Sequence, residues 1–351
     1  MDRNVSTRRT FLKASGGLAV TAALASAGAA SAEVPAAEEK RGAQRLGLER
    51  LKAFEALGFG MFACFGMSTF VQHELPDGLA PATTYAPDTL DVDQWVSVAR
   101  DAGMKYIVLT AKHVAGHCLW PSKHTDYTVA NSTDKTDVMG KFVEACRARG
   151  ILPAVYYCSW DNHNRFGSIT PSDQDKGPAF TTSLYQTFQT AQIEELIKDY
   201  GPFAEVWIDI PGILGRGYRT FLFNHVAMLN PDSVIMMNSG ISTQQEYDVE
   251  YAWPSDLIAI ERSLPPESKH TKWRSIEGKE YYMPGEVCDP IGKDWFYVEG
   301  DVPRADESLL QQYRACRERD VNLLLSVPAD RHGIIPESSV KALMRLAKSV
   351  G

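Results

Sequence analysis

The chain has 351 residues, a formal net charge of −8 and a sequence pI of about 5.6. Hydrophobic residues make up 44% of it and charged residues 23%, values that are typical of a soluble globular protein rather than a disordered or membrane one. The excess of acidic groups argues against nucleic acid or an anionic membrane surface as the binding partner.

The N-terminal segment resembles a twin-arginine (Tat) export signal. Residues 7–13 read TRRTFLK, a weakly apolar run rich in Ala and Gly follows, and residues 30–32 form an A-x-A cleavage site. This run is too short and too rich in small residues to span a membrane. We expect a signal peptide at residues 1–32, a flexible lead-in at residues 33–47 and a periplasmic or secreted mature protein. Because Tat substrates fold before export, the six cysteines need not form disulfides.

The rest of the chain alternates between apolar runs and segments with helical spacing. The apolar runs, each predicted to be a strand, are residues 58–66, 106–110, 151–157, 204–209, 233–237 and 321–325. The segments whose apolar residues recur at i, i+3, i+4 and i+7 are residues 95–102, 139–146, 193–200, 221–229, 309–316 and 340–347.

This alternation predicts a parallel sheet covered by helices. About eight repeats in one domain favour a closed (β/α)8 barrel, a TIM-like fold, over an open doubly wound sheet, and no G-x-G-x-x-G follows the first strand. Residues 241–285 are the least regular part, but near the seventh strand position residues 281–288 form an apolar approach that ends on one acid, Glu286. We expect a single catalytic domain at residues 48–351.

Polar residues collect where the predicted strands end, which in such a barrel is the edge that carries the chemistry. In chain order they are His73, Glu74, Lys112, His113, Tyr157, Trp160, Asp161, His163, Asp209 and Glu286. Asp209 ends an apolar strand just before Pro211-Gly212, and a helix cap or a turn is its alternative role. Two acids, together with Trp120, Trp160, Trp207 and Trp295, favour a carbohydrate site, although each Trp taken singly is more often a core residue.

Two other kinds of site are disfavoured. His113 and His117 are four residues apart, but Gly116 lies between them and the glutamate of H-E-x-x-H is missing, so we expect no metal site. A serine hydrolase is disfavoured because the chain contains no G-x-S-x-G elbow.

The second strand and the loop after it carry a family resemblance. Residues 109–113 read LTAKH and residues 118–123 read CLWPSK, which resembles the signature LTAKHHDGFCLWPSK of the α-L-fucosidases of glycoside hydrolase family 29. Further matches are Gly60-Met61-Phe62, Phe65-Gly66-Met67, VWID at residues 206–209, NLLL at residues 322–325, Asp330 and GIIP at residues 333–336. The matches run from about residue 59 to residue 337.

The resemblance implies a retaining exo-glycosidase that releases terminal α-L-fucose by double displacement and needs no cofactor. The nucleophile of the family's W-x-D strand matches Asp209. The acid/base of its W-E-x-C segment matches Glu286, although Gly285 stands in place of the Trp, and Glu261 is the second candidate. The sugar ligands that carry over, or that the strand-end pattern adds, are Glu74, His113, Trp120, Tyr157, Trp160 and Trp207.

Three positions depart from the family pattern. Cys64 stands where the family has a histidine after the first strand, and Val114 and Ala115 replace the second His and the Asp of the signature. The identity of the sugar is therefore open, and the same chemistry on another terminal sugar is an alternative. A barrel that binds carbohydrate without cleaving it is a further alternative. We also expect no C-terminal β-sandwich, and we expect Cys64, Cys118, Cys158 and Cys288 to be separate thiols near one mouth of the barrel.

Overall fold

Eight parallel strands form the centre of the molecule in the computed structural model, which describes residues 40–165, 180–238, 252–264 and 271–351. The strands are β1 (Phe59–Ala63), β2 (Tyr106–Lys112), β3 (Leu152–Cys158), β4 (Glu205–Asp209), β5 (Val234–Met237), β6 (Ile258–Glu261), β9 (Gly285–Pro290) and β10 (Asn322–Ser326). A separate antiparallel hairpin consists of β7 (Trp273–Ile276) and β8 (Lys279–Tyr282). The predicted signal peptide and the start of the lead-in, up to residue 39, lie outside the described residues.

The order of the strands is that of a nearly closed barrel. It runs β5, β4, β3, β2, β1, β10, β9, β6, so only the pair β5 and β6 lacks a direct strand ladder. The segment before β6 bridges this seam, because Asp256 N–H donates to Ile235 O at 2.8 Å and Ile235 N–H donates to Asp256 Oδ2 at 2.9 Å. Met237 N–H also donates to Ser255 Oγ at 3.0 Å. The predicted (β/α)8 barrel is confirmed.

Most of the helices cover the outside of the sheet, whereas the first one packs Leu51 and Phe54 against the cluster inside the barrel. The helices are α1 (Leu48–Glu55), α2 (Met67–Val71), α3 (Val92–Asp101), α4 (Val138–Arg149), α5 (Ser183–Tyr200), α6 (Arg216–Leu229), α7 (Asp306–Glu318) and α8 (Glu337–Val350). The α3 helix illustrates why they form: Asp91 caps its first turn by accepting the Gln94 N–H, and Trp95, Val98 and Ala99 are buried on its inner face. Each of the six segments with helical spacing falls on one of these helices. Within the described ranges, no helix has the length and apolar character needed to cross a bilayer.

Side chains on β4 alternate between the two faces of the sheet. Val206 and Ile208 point outward into the core between sheet and helices, whereas Trp207 belongs to the separate cluster inside the barrel. Because the strand period is two, Glu205 and Asp209 share the inward face with Trp207. These three side chains therefore lie at successive heights inside the barrel, with Asp209 at the carboxyl end of the strands, Trp207 in the middle and Glu205 at the amino end.

The predicted end of strand seven is wrong. Residues 281–288 read as an apolar approach that ends on Glu286, but Tyr281 and Tyr282 belong to the β7–β8 hairpin. The barrel strand begins only at Gly285, and Glu286 pairs with Asn322, the first residue of β10. Aromatic residues favour hairpin strands as strongly as barrel strands, so their presence does not distinguish the two. Glu286 therefore lies near the amino end of its strand, away from the edge that carries the chemistry.

Candidate active site

A cavity opens at the carboxyl ends of the strands. Together with the open space at its mouth, it has a volume of about 440 Å³. The described residues that line it are Phe62, Cys64, Glu74, Thr110, His113, Tyr156, Trp207, Asp209, Glu261, Trp295 and Phe296. Carboxylates and aromatic rings thus share one pocket, which is the composition expected for binding a sugar.

Asp209 is held by hydrogen bonds to both of its carboxylate oxygens. Tyr156 O–H donates to Oδ2 at 2.5 Å and Asn238 Nδ2 donates to Oδ1 at 2.7 Å. Burial raises the pKa of Asp209 above its ordinary value, while the bonds from Tyr156, Asn238 and the Ile210 N–H act in the opposite direction. These bonds fix the orientation of the carboxylate at the end of β4.

Glu261 ends β6 and faces Asp209. The same Asn238 Nδ2 donates to Glu261 Oε1 at 2.5 Å. Burial, followed by the negative charge of Asp209, raises the pKa of Glu261 to about 7, against the lowering effect of the Asn238 bond and of Arg262. At neutral pH the Glu261 carboxyl can therefore both give up and take up a proton.

The shared amide limits the distance between the two acids. Bonds of 2.7 and 2.5 Å to one nitrogen place Asp209 Oδ1 and Glu261 Oε1 no more than 5.2 Å apart. Retaining glycosidases hold their carboxyl groups about 5 to 5.5 Å apart, whereas inverting ones leave about 6.5 to 9.5 Å for a water molecule. The upper limit of 5.2 Å, which joins one oxygen of each group, is compatible with the retaining arrangement, in which one carboxylate attacks and the other transfers the proton.

Two further polar groups face the cavity. Burial lowers the pKa of His113 to about 3, so its imidazole is neutral at pH 7 and can donate one hydrogen bond and accept another. Burial raises the pKa of the half-buried Glu74, with smaller contributions from the charges of Asp294 and Asp209 and an opposing one from Arg262. Both groups can bond sugar hydroxyls.

Cys64 contributes a neutral wall to the cavity. Burial raises the pKa of its thiol to about 12, so the thiolate is not populated at neutral pH. All six cysteines are free and buried. In the described part of the chain, no group of three or more His, Cys, Asp and Glu side chains could hold a metal ion.

Residues 77–350 match the family model described as Alpha-L-fucosidase. The chain belongs to the α-L-fucosidase family. Alpha-L-fucosidase 1 of Arabidopsis thaliana is 30% identical to it over 297 residues, which cover 81% of this chain and 56% of that protein. The chain spans about half the length of the curated relatives it matches.

Solved structures of the family share the barrel. Alpha-L-fucosidase isoenzyme 1 from Paenibacillus thiaminolyticus superposes with a TM-score of 0.70 at 25% identity, over 86% of this chain and 75% of that one. An alpha-L-fucosidase from Lactobacillus casei, solved in complex with its alpha-L-fucose product, has a TM-score of 0.65 at 20% identity, over 86% and 98% of the two chains. At that identity the second structure supports the fold alone.

Five of the predicted site residues of this family member meet in the cavity, namely Asp209, Glu74, His113, Trp207 and Glu261. Tyr157 does not. It points into the helix layer, where its hydroxyl accepts from Lys112 Nζ at 2.8 Å and donates to Gln192 Oε1 at 2.8 Å. Its neighbour Tyr156 faces the cavity instead, because a shift of one residue along a strand reverses the face.

Two predicted tryptophan subsites are also corrected. Trp120 is buried outside the barrel, and its Nε1 donates to Glu195 Oε2 at 2.8 Å. Trp160 is partly buried, donates to Asn162 Oδ1 at 2.8 Å and is not among the described residues that line the cavity. Both serve packing, which is the commoner fate of a single Trp.

Glu286 lies below the cavity rather than in it. The side chain is fully buried, Tyr106 O–H donates to its Oε1, and Trp207 Nε1 donates to its Oε2 at 3.0 Å. A carboxyl group enclosed in this way cannot reach a leaving-group oxygen at the mouth of the barrel, so the placement does not support the acid/base role predicted for Glu286.

The prediction missed Tyr156 and Asn238. Asn238 directly follows the strand predicted at residues 233–237, so the rule that polar residues after strands belong to the site would have included it. Tyr156 precedes the expected Tyr157, and strand alternation alone does not say which of two adjacent tyrosines points inward.

Proposed function

We propose that this chain is a retaining exo-α-L-fucosidase that releases terminal fucose by double displacement. The observation that carries the proposal is the pair of carboxyl groups, Asp209 and Glu261, which share the amide of Asn238 with oxygens at most 5.2 Å apart. Family membership supports the sugar, and the separation of the acids supports the retaining course of the reaction.

Asp209 acts as the nucleophile in this proposal. Its carboxylate attacks the anomeric carbon and forms a glycosyl-enzyme, and the leaving group departs with a proton from Glu261. Glu261 then takes a proton from water, which hydrolyses the ester and restores the free enzyme. A pKa of about 7 suits Glu261 to both proton transfers, because its two forms are close in free energy at neutral pH.

Aromatic and polar groups of the cavity bind the sugar in this proposal. Trp207 offers a ring face to the apolar side of the pyranose, and His113 and Glu74 bond its hydroxyls. Cys64 and the buried Val114 offer no strong hydrogen bond where the resemblance leads us to expect histidines. Cys64 therefore favours one second candidate function, namely the same chemistry on a different terminal sugar.

Azide rescue distinguishes the roles of the two glutamates. Glu261→Ala should hydrolyse an activated aryl α-L-fucoside slowly and should form α-L-fucosyl azide when azide is added, because azide needs no base to attack the glycosyl-enzyme. Glu286→Ala is the matched variant and should form none. Azide product from Glu286→Ala alone would return the acid/base role to Glu286.

Asp209→Ala tests whether the protein is a catalyst of this kind at all. Loss of a covalent nucleophile should lower the rate by several orders of magnitude. If wild type is inactive on a panel of aryl glycosides yet binds free fucose, the barrel binds carbohydrate without cleaving it. A panel in which another terminal sugar is turned over faster than fucose would favour the second candidate.

We also propose that the chain is exported through the twin-arginine pathway. The proposal rests on the TRRTFLK segment and the A-x-A site before residue 33. Replacing both arginines of the pair by lysine should retain the full-length precursor in the cytoplasm, as measured by cell fractionation. Unchanged processing in that variant would refute the route.

A further inference from the structure

Two carboxyl groups lie inside the barrel, beneath the cavity. Glu205 begins β4, Glu286 is the second residue of β9, and both side chains have no exposed surface. Trp207 lies between this pair and the cavity, since it follows Glu205 on the inward face of β4 and precedes Asp209. Neither Glu205 nor Glu286 takes part in the proposed chemistry, and buried acids are costly to retain without a role.

The hydrogen bonds around the pair are one-sided. Glu286 accepts from Tyr106 O–H and from Trp207 Nε1, so both of its oxygens face donors. Neither oxygen of Glu205 has a hydrogen bond of good geometry to a group among the described residues, although the Trp207 indole lies near enough to lower the pKa of Glu205. The two carboxyl groups lie close enough to act on each other's pKa. A bond between two carboxyl oxygens requires a proton, and the donors around Glu286 assign that proton to Glu205.

The electrostatics agree with this assignment. Burial and then the charge of Glu286 raise the pKa of Glu205 well above its usual range, and burial raises the pKa of Glu286 to about 7. Burial also raises the pKa values of Tyr106 and Cys288, the other titratable groups that face the pair, so both are neutral. With no basic neighbour acting on either acid, the pair retains at least one proton at neutral pH.

The bond to Glu286 controls how the Trp207 ring is oriented. Nε1 is the only polar atom of that side chain, so the bond at 3.0 Å selects one orientation of the indole. The ring packs against Phe62 with centroids 5.3 Å apart and stacks on Tyr156 with centroids 5.9 Å apart. Tyr156 in turn donates to Asp209, so a change in Trp207 reaches both the floor of the cavity and the nucleophile.

We propose that Glu205 and Glu286 form a proton-sharing pair that positions Trp207 under the sugar. Glu205 donates its acid proton to Glu286, and Glu286 holds the indole N–H. Both acids are positioning residues, since neither touches the cavity. This inference rests on the proposed function for its catalytic consequence, whereas the shared proton and the indole bond exist in the resting protein.

Kinetics with matched variants test the catalytic consequence. Glu286→Leu removes the acceptor for Trp207 and should lower kcat/KM for an aryl α-L-fucoside about tenfold or more, while Glu286→Gln keeps an amide oxygen and should lose less. Glu195→Gln is the control, because Glu195 accepts the indole N–H of Trp120 away from the cavity, and it should stay within about twofold of wild type. A folded Glu286→Leu within twofold of wild type would overturn the proposal.

Variants of Glu205 test the proton. Glu205→Gln supplies a permanent N–H donor to Glu286 and should keep kcat/KM within about twofold of wild type. Glu205→Leu supplies no donor, so its kcat/KM should be lowered as much as that of Glu286→Leu. Equal impairment of Glu205→Gln and Glu205→Leu would contradict a donor role. In the infrared spectrum at about pH 8, the difference between wild type and Glu205→Gln should show the loss of the carbonyl stretch of one neutral carboxylic acid. A difference spectrum without that loss would also overturn the assignment.

A measurement without substrate separates this proposal from the proposed function. In protein labelled with 5-fluorotryptophan, the Trp207 resonance is the one lost in Trp207→Phe. Glu286→Leu should shift that resonance, and Glu195→Gln should shift only the resonance of Trp120. If Glu286→Leu does not fold, Glu286→Gln should still shift it, because an amide accepts less strongly than a carboxylate. An unmoved Trp207 resonance refutes the positioning, even if the enzyme is active; an inactive wild type refutes only the function.

Discussion

Replacing Asn238 by leucine should move the whole pH profile of the enzyme to higher pH. The amide of Asn238 donates to Asp209 at 2.7 Å and to Glu261 at 2.5 Å, and both bonds favour the ionised carboxylates. In kcat/KM, the acidic limb reports ionisation of Asp209 and the alkaline limb reports loss of the Glu261 proton, which has a pKa of about 7. Without the donor, both pKa values rise, so both limbs shift upward.

The size of the shift follows from the strength of such bonds. A hydrogen bond to a charged group contributes about 1.5 to 3 kcal/mol, and one pKa unit corresponds to about 1.4 kcal/mol, so each limb should move by about one to two pH units. Loss of the alignment of Asp209 should lower the maximal kcat/KM about tenfold to a hundredfold.

The assay is kcat/KM for an aryl α-L-fucoside across the range in which the variant remains folded, with thermal unfolding measured in parallel. Asn230→Leu is the matched control, because the buried Asn230 donates to the Phe203 carbonyl at 2.9 Å, before the amino end of β5. The control should lose stability without moving either limb. Limbs that stay in place in Asn238→Leu, or move equally in Asn230→Leu, would refute the reasoning.

Three further predictions concern stability and specificity. Lys112→Met leaves the fully buried Asp161 without its ion pair, which is 2.7 Å long, and should cost about 3 to 5 kcal/mol in urea unfolding; a loss below about 1 kcal/mol would contradict this. Cys64→His adds a donor to the cavity wall and should raise fucoside turnover by up to about tenfold; unchanged turnover with the imidazole in the cavity would show that Cys64 is not limiting. Because the pKa of Glu205 is raised on folding, its stabilising effect is complete below about pH 4.5 and is lost as pH rises. The melting temperature of Glu205→Gln, relative to that of wild type, should therefore increase from about pH 5 to about pH 8. A difference in melting temperature that stays constant over this range would refute the raised pKa.

Local pattern determined the repeating elements. Residues 204–209 are apolar enough to form a buried strand, and the break at Pro211 and Gly212 leaves Asp209 at its carboxyl end, where the structure has it. Helical spacing around Trp95 and around Phe142 is a property of neighbouring residues, so it needs no tertiary information. The alternation of strands and helices predicts a parallel barrel, and in such a barrel the site lies at the carboxyl ends of the strands.

Only the tertiary structure decided which acid faces Asp209. Glu261 and Glu286 each lie in an apolar stretch, and their roles depend on where β6 and β9 begin and end, which the inserted β7–β8 hairpin determines. The choice between Tyr156 and Tyr157 depends likewise on the register of β3 against its neighbours. The strand register and the bridging of the β5–β6 seam arise from contacts between residues far apart in the chain. Local sequence patterns do not predict such contacts.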